Sequence, residues 1–136
     1  MVREHADKYL LDWSEPAKLY NCAEVTLRAM NDAYELGLSE ETLRTAAGFG
    51  GGMFTGDACG IVTGGAMGLA HLFANAEAPY KNQRLGDSLK LWCAKFSEVH
   101  GDTRCDRIKP FDGCRSLVSE AMDVLEGVVE TMKNAE

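Results

Sequence analysis

A chain of 136 residues, 46% apolar and 26% charged, has the length and make-up of one globular domain that can bury a core without staples. Its net charge of −7 argues against a nucleic-acid backbone or an anionic membrane as the main partner, because either would repel it. The least charged stretch, Ala58 to Ala76, is broken by glycines and His71, unlike the roughly 20 apolar residues of a membrane span. Arg3, Glu4, Asp7, Lys8 and Asp12 leave no apolar signal-peptide core at the start. The expectation is a soluble, cytoplasmic protein with no membrane insertion.

Helical periodicity dominates, and no stretch alternates as a half-buried strand would. The predicted fold is all-α: a single domain, 1–136, built as a bundle of about five or six helices with a glycine-rich loop. Val2 to Trp13 reads as one short helix. Ser14 then reads as an N-cap with Glu15 and Pro16 behind it. The next helix covers about Asn21 to Leu36, with either Ser14 or Asn21 as its start. Its apolar face runs Cys22, Val25, Ala29, Ala33, Leu36, and Gly37 suits its end. Ser39 caps a shorter helix, with Glu40 and Glu41 near its positive end. That helix stops at Gly48, where Gly48-Phe49-Gly50-Gly51-Gly52 is too permissive to hold helical backbone.

A third main helix is predicted from about Asp57 to Asn75. Gly60, Gly64 and Gly68 share one of its faces at about 1 kcal/mol each relative to Ala, which implies that a backbone or a bulky group comes very close there. After Pro79, a fourth helix covers about Lys81 to His100, with Leu85, Leu89, Trp92, Phe96 and Val99 inward and Gly101 at its end. Asp112 caps a last helix, Gly113 to about Lys133, whose inner face is Cys114, Leu117, Val118, Ala121, Val124, Leu125 and Val128.

Five cysteines, Cys22, Cys59, Cys93, Cys105 and Cys114, are an odd number in a chain with no secretion signal, so metal binding or redox chemistry is a better reading than a disulfide framework. Cys93 lies mid-helix between Trp92 and Phe96 and reads as core. The others share a position. Cys22, Cys59 and Cys114 fall in first helical turns and Cys105 just before one. A helix N-terminus favours thiolate, the form that attacks and binds metal. Arg104, Arg107, Lys109 and Arg115 outnumber Asp106 and Asp112 nearby and would add to that field, unless they belong to a solvated loop. His5, His71 and His100 form no motif. The chain has no C-x-x-C, hence no thioredoxin signature, zinc-ribbon spacing or covalent c-type haem attachment. Gly48 to Gly52 lacks the Gly-Lys-Ser/Thr of a phosphate loop.

Asn21-Cys22-Ala23-Glu24, then Gly51-Gly52-Met53 through Ala58-Cys59-Gly60-Ile61-Val62-Thr63-Gly64, then His100-Gly101 leading to Cys105 and Gly113-Cys114 resemble the cysteine motifs of the C_GCAxxG_C_C family of redox-active proteins. The family's central motif spells Gly-Cys-Ala-x-x-Gly, so this chain differs in the small residues around Cys59. The resemblance implies an all-helical fold and a redox or metal role for Cys22, Cys59, Cys105 and Cys114. The family also looks related to the split-Soret cytochromes c, which carry haem and an iron–sulfur centre. Without a haem motif, only the iron–sulfur part would carry over.

Three functional readings follow. The first is an iron–sulfur protein, most simply [2Fe–2S], with those four cysteines as ligands, moving or sensing electrons with a redox partner that the sequence does not identify. The second is a metal-free thiol–disulfide protein in which Cys114 attacks and Cys105 resolves. The third is a structural zinc site made of the same four thiolates. Incidental core cysteines remain the plain alternative. The glycine-lined helix leaves room for a homodimer.

Overall fold

The computed structural model describes residues 1–108 and 114–135. Among them are six helices: α1 Val2–Leu10, α2 Cys22–Tyr34, α3 Glu40–Thr45, α4 Gly60–Phe73, α5 Gln83–His100 and α6 Arg115–Asn134. The fold is all-α, as the periodicity predicts. α1 packs on α2 and α6, α2 on α4, α4 on α5, and α5 on α6, so five helices close a ring around the core. No helix among the described residues is long and apolar enough to cross a membrane.

The start of α2 is fixed by a reciprocal cap. The Asn21 side chain accepts from the Glu24 N–H at 3.1 Å, and the Glu24 carboxylate accepts from the Asn21 N–H at 3.1 Å. Together these satisfy two of the backbone donors that a helix start leaves open. Ser14, the other candidate start, only closes a turn with the Lys18 N–H. The helix ends at Glu35 in the left-handed region, φ 51°, ahead of the glycine expected to end it. Every residue from Ala23 to Met30 is buried, so α2 is a central helix and not the one-sided element its periodicity implies. The buried Arg28 pairs through its two terminal nitrogens with the Glu40 carboxylate, at 3.1 and 2.9 Å, and lies 4.0 Å over the Tyr20 ring.

The three glycines of α4 explain why α2 is so deeply enclosed. A methyl at Gly60 would stand 2.5 Å from the Cys22 Sγ, one at Gly64 would stand 2.6 Å from the Ala23 carbonyl oxygen, and one at Gly68 would collide with the Met30 Sδ. The stripe therefore admits both expected occupants, the α2 backbone at Gly64 and the bulky Met30 side chain at Gly68. Both residue series rise together along the contact, so α2 and α4 run in the same direction. Side-by-side parallel helices need a return connection, and α3 with the glycine-rich segment supplies it. In that segment Gly51, Gly52, Met53, Phe54 and Gly56 all take positive φ.

α4 is shorter than predicted because 57–59 are extended. Ala58 bridges Arg104 in antiparallel fashion. The Cys59 N–H donates to the Thr103 carbonyl, and the Cys105 N–H to the Asp57 carbonyl, both at 2.7 Å. α5 is capped by Asn82, whose side chain accepts from the Arg84 and Leu85 N–H groups. It buries Ser88, Trp92 and Phe96 and ends at Gly101, φ 97°. The Trp92 indole donates to the Val62 carbonyl at 3.0 Å. Val99 does not join that face; it is 58% exposed. On α6, Leu117, Val118, Ala121, Leu125 and Val128 are buried as expected, with Met122, Val129 and Met132 added. The predicted cap at Asp112 and start at Gly113 lie outside the described residues.

Candidate functional site: a cavity walled by four cysteines

Each cysteine of the predicted set is held by a different device. Cys22 is the first residue of α2, directly behind the Asn21 cap. Cys59 is the cap residue of α4. Cys105 opens a single 3₁₀ turn, Cys105–Arg107. Cys114 is the cap residue of α6, at φ 76°. The close α2–α4 contact brings Cys22 against the start of α4. The bridge at Ala58–Arg104 puts Cys59 and Cys105 on one face as a diagonal pair, a placement with Cα atoms roughly 7–8 Å apart. All four then line a single cavity of about 340 Å³, together with Trp13, Lys18, Ile61, Ile108 and Leu117 among others. No disulfide joins any of the cysteines. Among the described residues, no three His, Cys, Asp or Glu side chains converge on a point that could hold one metal ion.

The electrostatics differ from the expectation in two respects. First, Cys59 is only 4% exposed, and burial pushes its thiol up to about 12, with the Cys22 and Cys105 sulfurs adding to the rise. The Ile61 and Val62 N–H groups at the start of α4 pull the other way, though no side-chain hydrogen bond of capping geometry forms. Desolvation thus outweighs the helix terminus and holds Cys59 as a thiol at neutral pH. Second, the predicted basic field is spent on local pairs. Arg104 binds Asp106 at 2.9 Å and approaches Asp57 at 3.7 Å, Arg107 reaches Asp102 at 3.4 Å, and the Arg115 guanidinium donates to the Leu11 carbonyl. Lys109 lies outside the described residues. None of these arginines lines the cavity.

Lys18 does. Its ammonium sits 3.9 Å over the Trp13 ring, and the Trp13 indole is fixed by a 2.6 Å bond to the Tyr20 carbonyl. Sequence reasoning missed both residues. The only available signal was position: an irregular stretch running straight into a cysteine-headed helix must fold over that helix's N-terminus. Cys93 is partly buried against the core, outside the cavity, and burial raises its thiol too, as a packing cysteine's should be. None of His5, His71 and His100 lines the cavity.

Where the family motif carries Ala after the cysteine, this chain has Gly60, and the Cys22 sulfur occupies the space a methyl would take. No curated protein and no solved structure matches the chain. The model of one family, described as "Putative redox-active protein (C_GCAxxG_C_C)", matches residues 20–128. That match spans α2 to most of α6 and includes all four cavity cysteines, so the chain belongs to the C_GCAxxG_C_C family of redox-active proteins.

Proposed function

We propose that the cavity holds an iron–sulfur cluster, most simply [2Fe–2S], ligated by Cys22, Cys59, Cys105 and Cys114, and that the protein transfers or senses electrons through it. The observation that carries this reading is the meeting of four thiols, from positions 22 to 114 of the chain, on the wall of one cavity of about 340 Å³. Iron–sulfur clusters are held by cysteine thiolates, commonly four, and supply reversible one-electron chemistry.

The donor set suits such a cluster in type and number. A single tetrahedral zinc would need its sulfurs about 3.8 Å apart, from a bond of roughly 2.3 Å, and no such convergence exists among the described residues. A cluster of several atoms is wider and takes ligands from around its perimeter. The burial of Cys59, 4% exposed, counts against an attacking role. A buried thiol is a poor nucleophile without help, whereas coordination deprotonates it outright. Cys22, Cys59 and Cys114 would bring their sulfurs to the starts of α2, α4 and α6, whose partial positive charge stabilises anionic ligands. Ile61, Ile108 and Leu117 would keep water away from them.

The test is purification without oxygen, followed by the visible spectrum and the iron, acid-labile sulfide and zinc contents. Brown protein with matched iron and sulfide is expected, and it should be lost in Cys→Ser variants at positions 22, 59, 105 and 114 but retained in Cys93→Ser. Stoichiometric zinc would replace the proposal with a structural site. Colourless, metal-free protein with one fast-reacting thiol would replace it with thiol–disulfide exchange, in which Cys105 and Cys114 form the predicted pair.

A further inference from the structure

We infer that Lys18 is the charge-compensating residue of the cysteine cavity: held over Trp13, its ammonium sets how readily the cavity accepts negative charge. The inference rests on the cluster reading above for its redox consequence, but the geometry stands by itself. Lys18 and Trp13 line the same cavity as the four cysteines, and no carboxylate lines it among the described residues. The ammonium is 3.9 Å over the indole. The indole is fixed by its bond to the Tyr20 carbonyl, and the Lys18 N–H closes a turn onto the Ser14 carbonyl at 2.9 Å. Both backbone and head group of this lysine are thus positioned. Of the arginines that sequence offered for the role, Arg104 and Arg107 are engaged with Asp57, Asp102 and Asp106, Arg115 donates to the Leu11 carbonyl, and none lines the cavity.

The physical consequence is a one-way bias. Reduction adds an electron to the cavity's contents and removes nothing. A fixed positive charge nearby stabilises the more negative state, and partial burial limits how far water screens it. Lys18 is half-buried, so its field acts at intermediate strength. Lys18 is a positioning and tuning residue here, not a ligand.

The experiment uses the full chain, wild type against Lys18→Met, Lys18→Gln and Lys18→Arg. Iron and sulfide are measured first. The iron-loaded proteins are then titrated with dithionite, each one-electron step followed in the visible spectrum. Removing the charge is expected to lower the reduced-to-oxidised ratio at a given potential by roughly tenfold, or about 59 mV for one electron. Lys18→Arg is expected to stay within about threefold of wild type, since it keeps the charge and the stacking.

A second arm needs no iron. Metal-free proteins are treated at one pH with a bis-carboxylate aromatic disulfide and, separately, with neutral iodoacetamide. In the first reaction a cavity thiolate attacks, the reagent's S–S bond breaks, and an aromatic thiolate leaves as the mixed disulfide forms. Lys18→Met and Lys18→Gln should slow the anionic reagent several-fold relative to the neutral one. If the protein loads iron and the potential is unchanged in both charge-removing variants, the inference is overturned while the cluster reading survives. If no iron loads, the cluster reading falls, and an unchanged reagent ratio overturns the role of Lys18 as well.

Discussion

Gly64→Ala tests the claim that backbone contact between α2 and α4 builds the site. A methyl at position 64 would stand 2.6 Å from the Ala23 oxygen, 3.1 Å from its Cα and 3.2 Å from its carbonyl carbon. All three atoms are backbone, so no side chain can swing aside and the helices must part by several tenths of an ångström. Alanine's better helix propensity returns about 1 kcal/mol. Overpacking a tight core costs about 1–3 kcal/mol, and rigid backbone contacts belong at the upper end. The expected net loss is about 2 kcal/mol, or roughly 8 °C in Tm for a domain of this size. The assay is thermal and urea unfolding of the metal-free protein, with Gly127→Ala as control. Gly127 is an exposed residue of α6 with nothing within 4 Å of a new methyl, so the same substitution there should stabilise by about 1 kcal/mol. Opposite signs at the two sites are the prediction. Equal stabilisation at both would refute the close approach and, with it, the account of how Cys22 reaches the start of α4.

Three further outcomes follow. The Cys59 thiol stands at about 12 in the fold against an ordinary 9.0, so the native state holds a proton that the unfolded chain gives up. The stabilisation is complete below pH 9 and erodes by about 1.4 kcal/mol per pH unit above it, up to about 4 kcal/mol at pH 12; urea midpoints of metal-free wild type and Cys59→Ala between pH 8 and 11 should diverge in slope. Asn21→Ala removes the α2 cap and the bond to the Ala47 carbonyl, which should cost about 1 kcal/mol in urea unfolding and speed Cys22 alkylation, read by mass spectrometry. Trp92→Phe removes the indole bond to the Val62 carbonyl, which keeps its place in the α4 ladder, and should cost about 1 kcal/mol without changing the alkylation rates of the cavity cysteines.

The parts of this protein legible in its sequence are those governed by neighbours along the chain. The Ser39 cap of α3, the Gly101 terminus and the 3.6-residue stripe of α6 are local signals, and each acts where expected; the start of α2, open in the sequence between Ser14 and Asn21, is decided by the Asn21 cap. The four cysteines were legible as a set because three of them head helices, and the cavity gathers them. What was not legible depends on distant partners. Nothing local tells that Arg104 will turn to Asp106 and Asp57, that Cys59 will be buried deeply enough to overrule the helix terminus beside it, or that Lys18 will land on Trp13. The Ala58–Arg104 bridge joins segments more than forty residues apart and leaves no alternating pattern, since one bridge pair is too short to have a period.

The direction of the helices joins these points. Antiparallel neighbours set the positive end of one helix beside the negative end of the next. α2 and α4 instead lie parallel, with their positive ends together where Cys22 and Cys59 sit. The start of α6 reaches the same cavity through Cys114. Three like ends and an ammonium around one space, with no lining carboxylate among the described residues, repel one another by a few tenths of a kcal/mol each at partial exposure. A fold built only for stability would alternate its helices and avoid both that cost and the long return through α3 and the left-handed glycine segment. The parallel pair becomes favourable when the cavity holds negative charge. Under the proposed cluster, the four cavity thiols would become thiolates and supply that charge from the chain's own sequence.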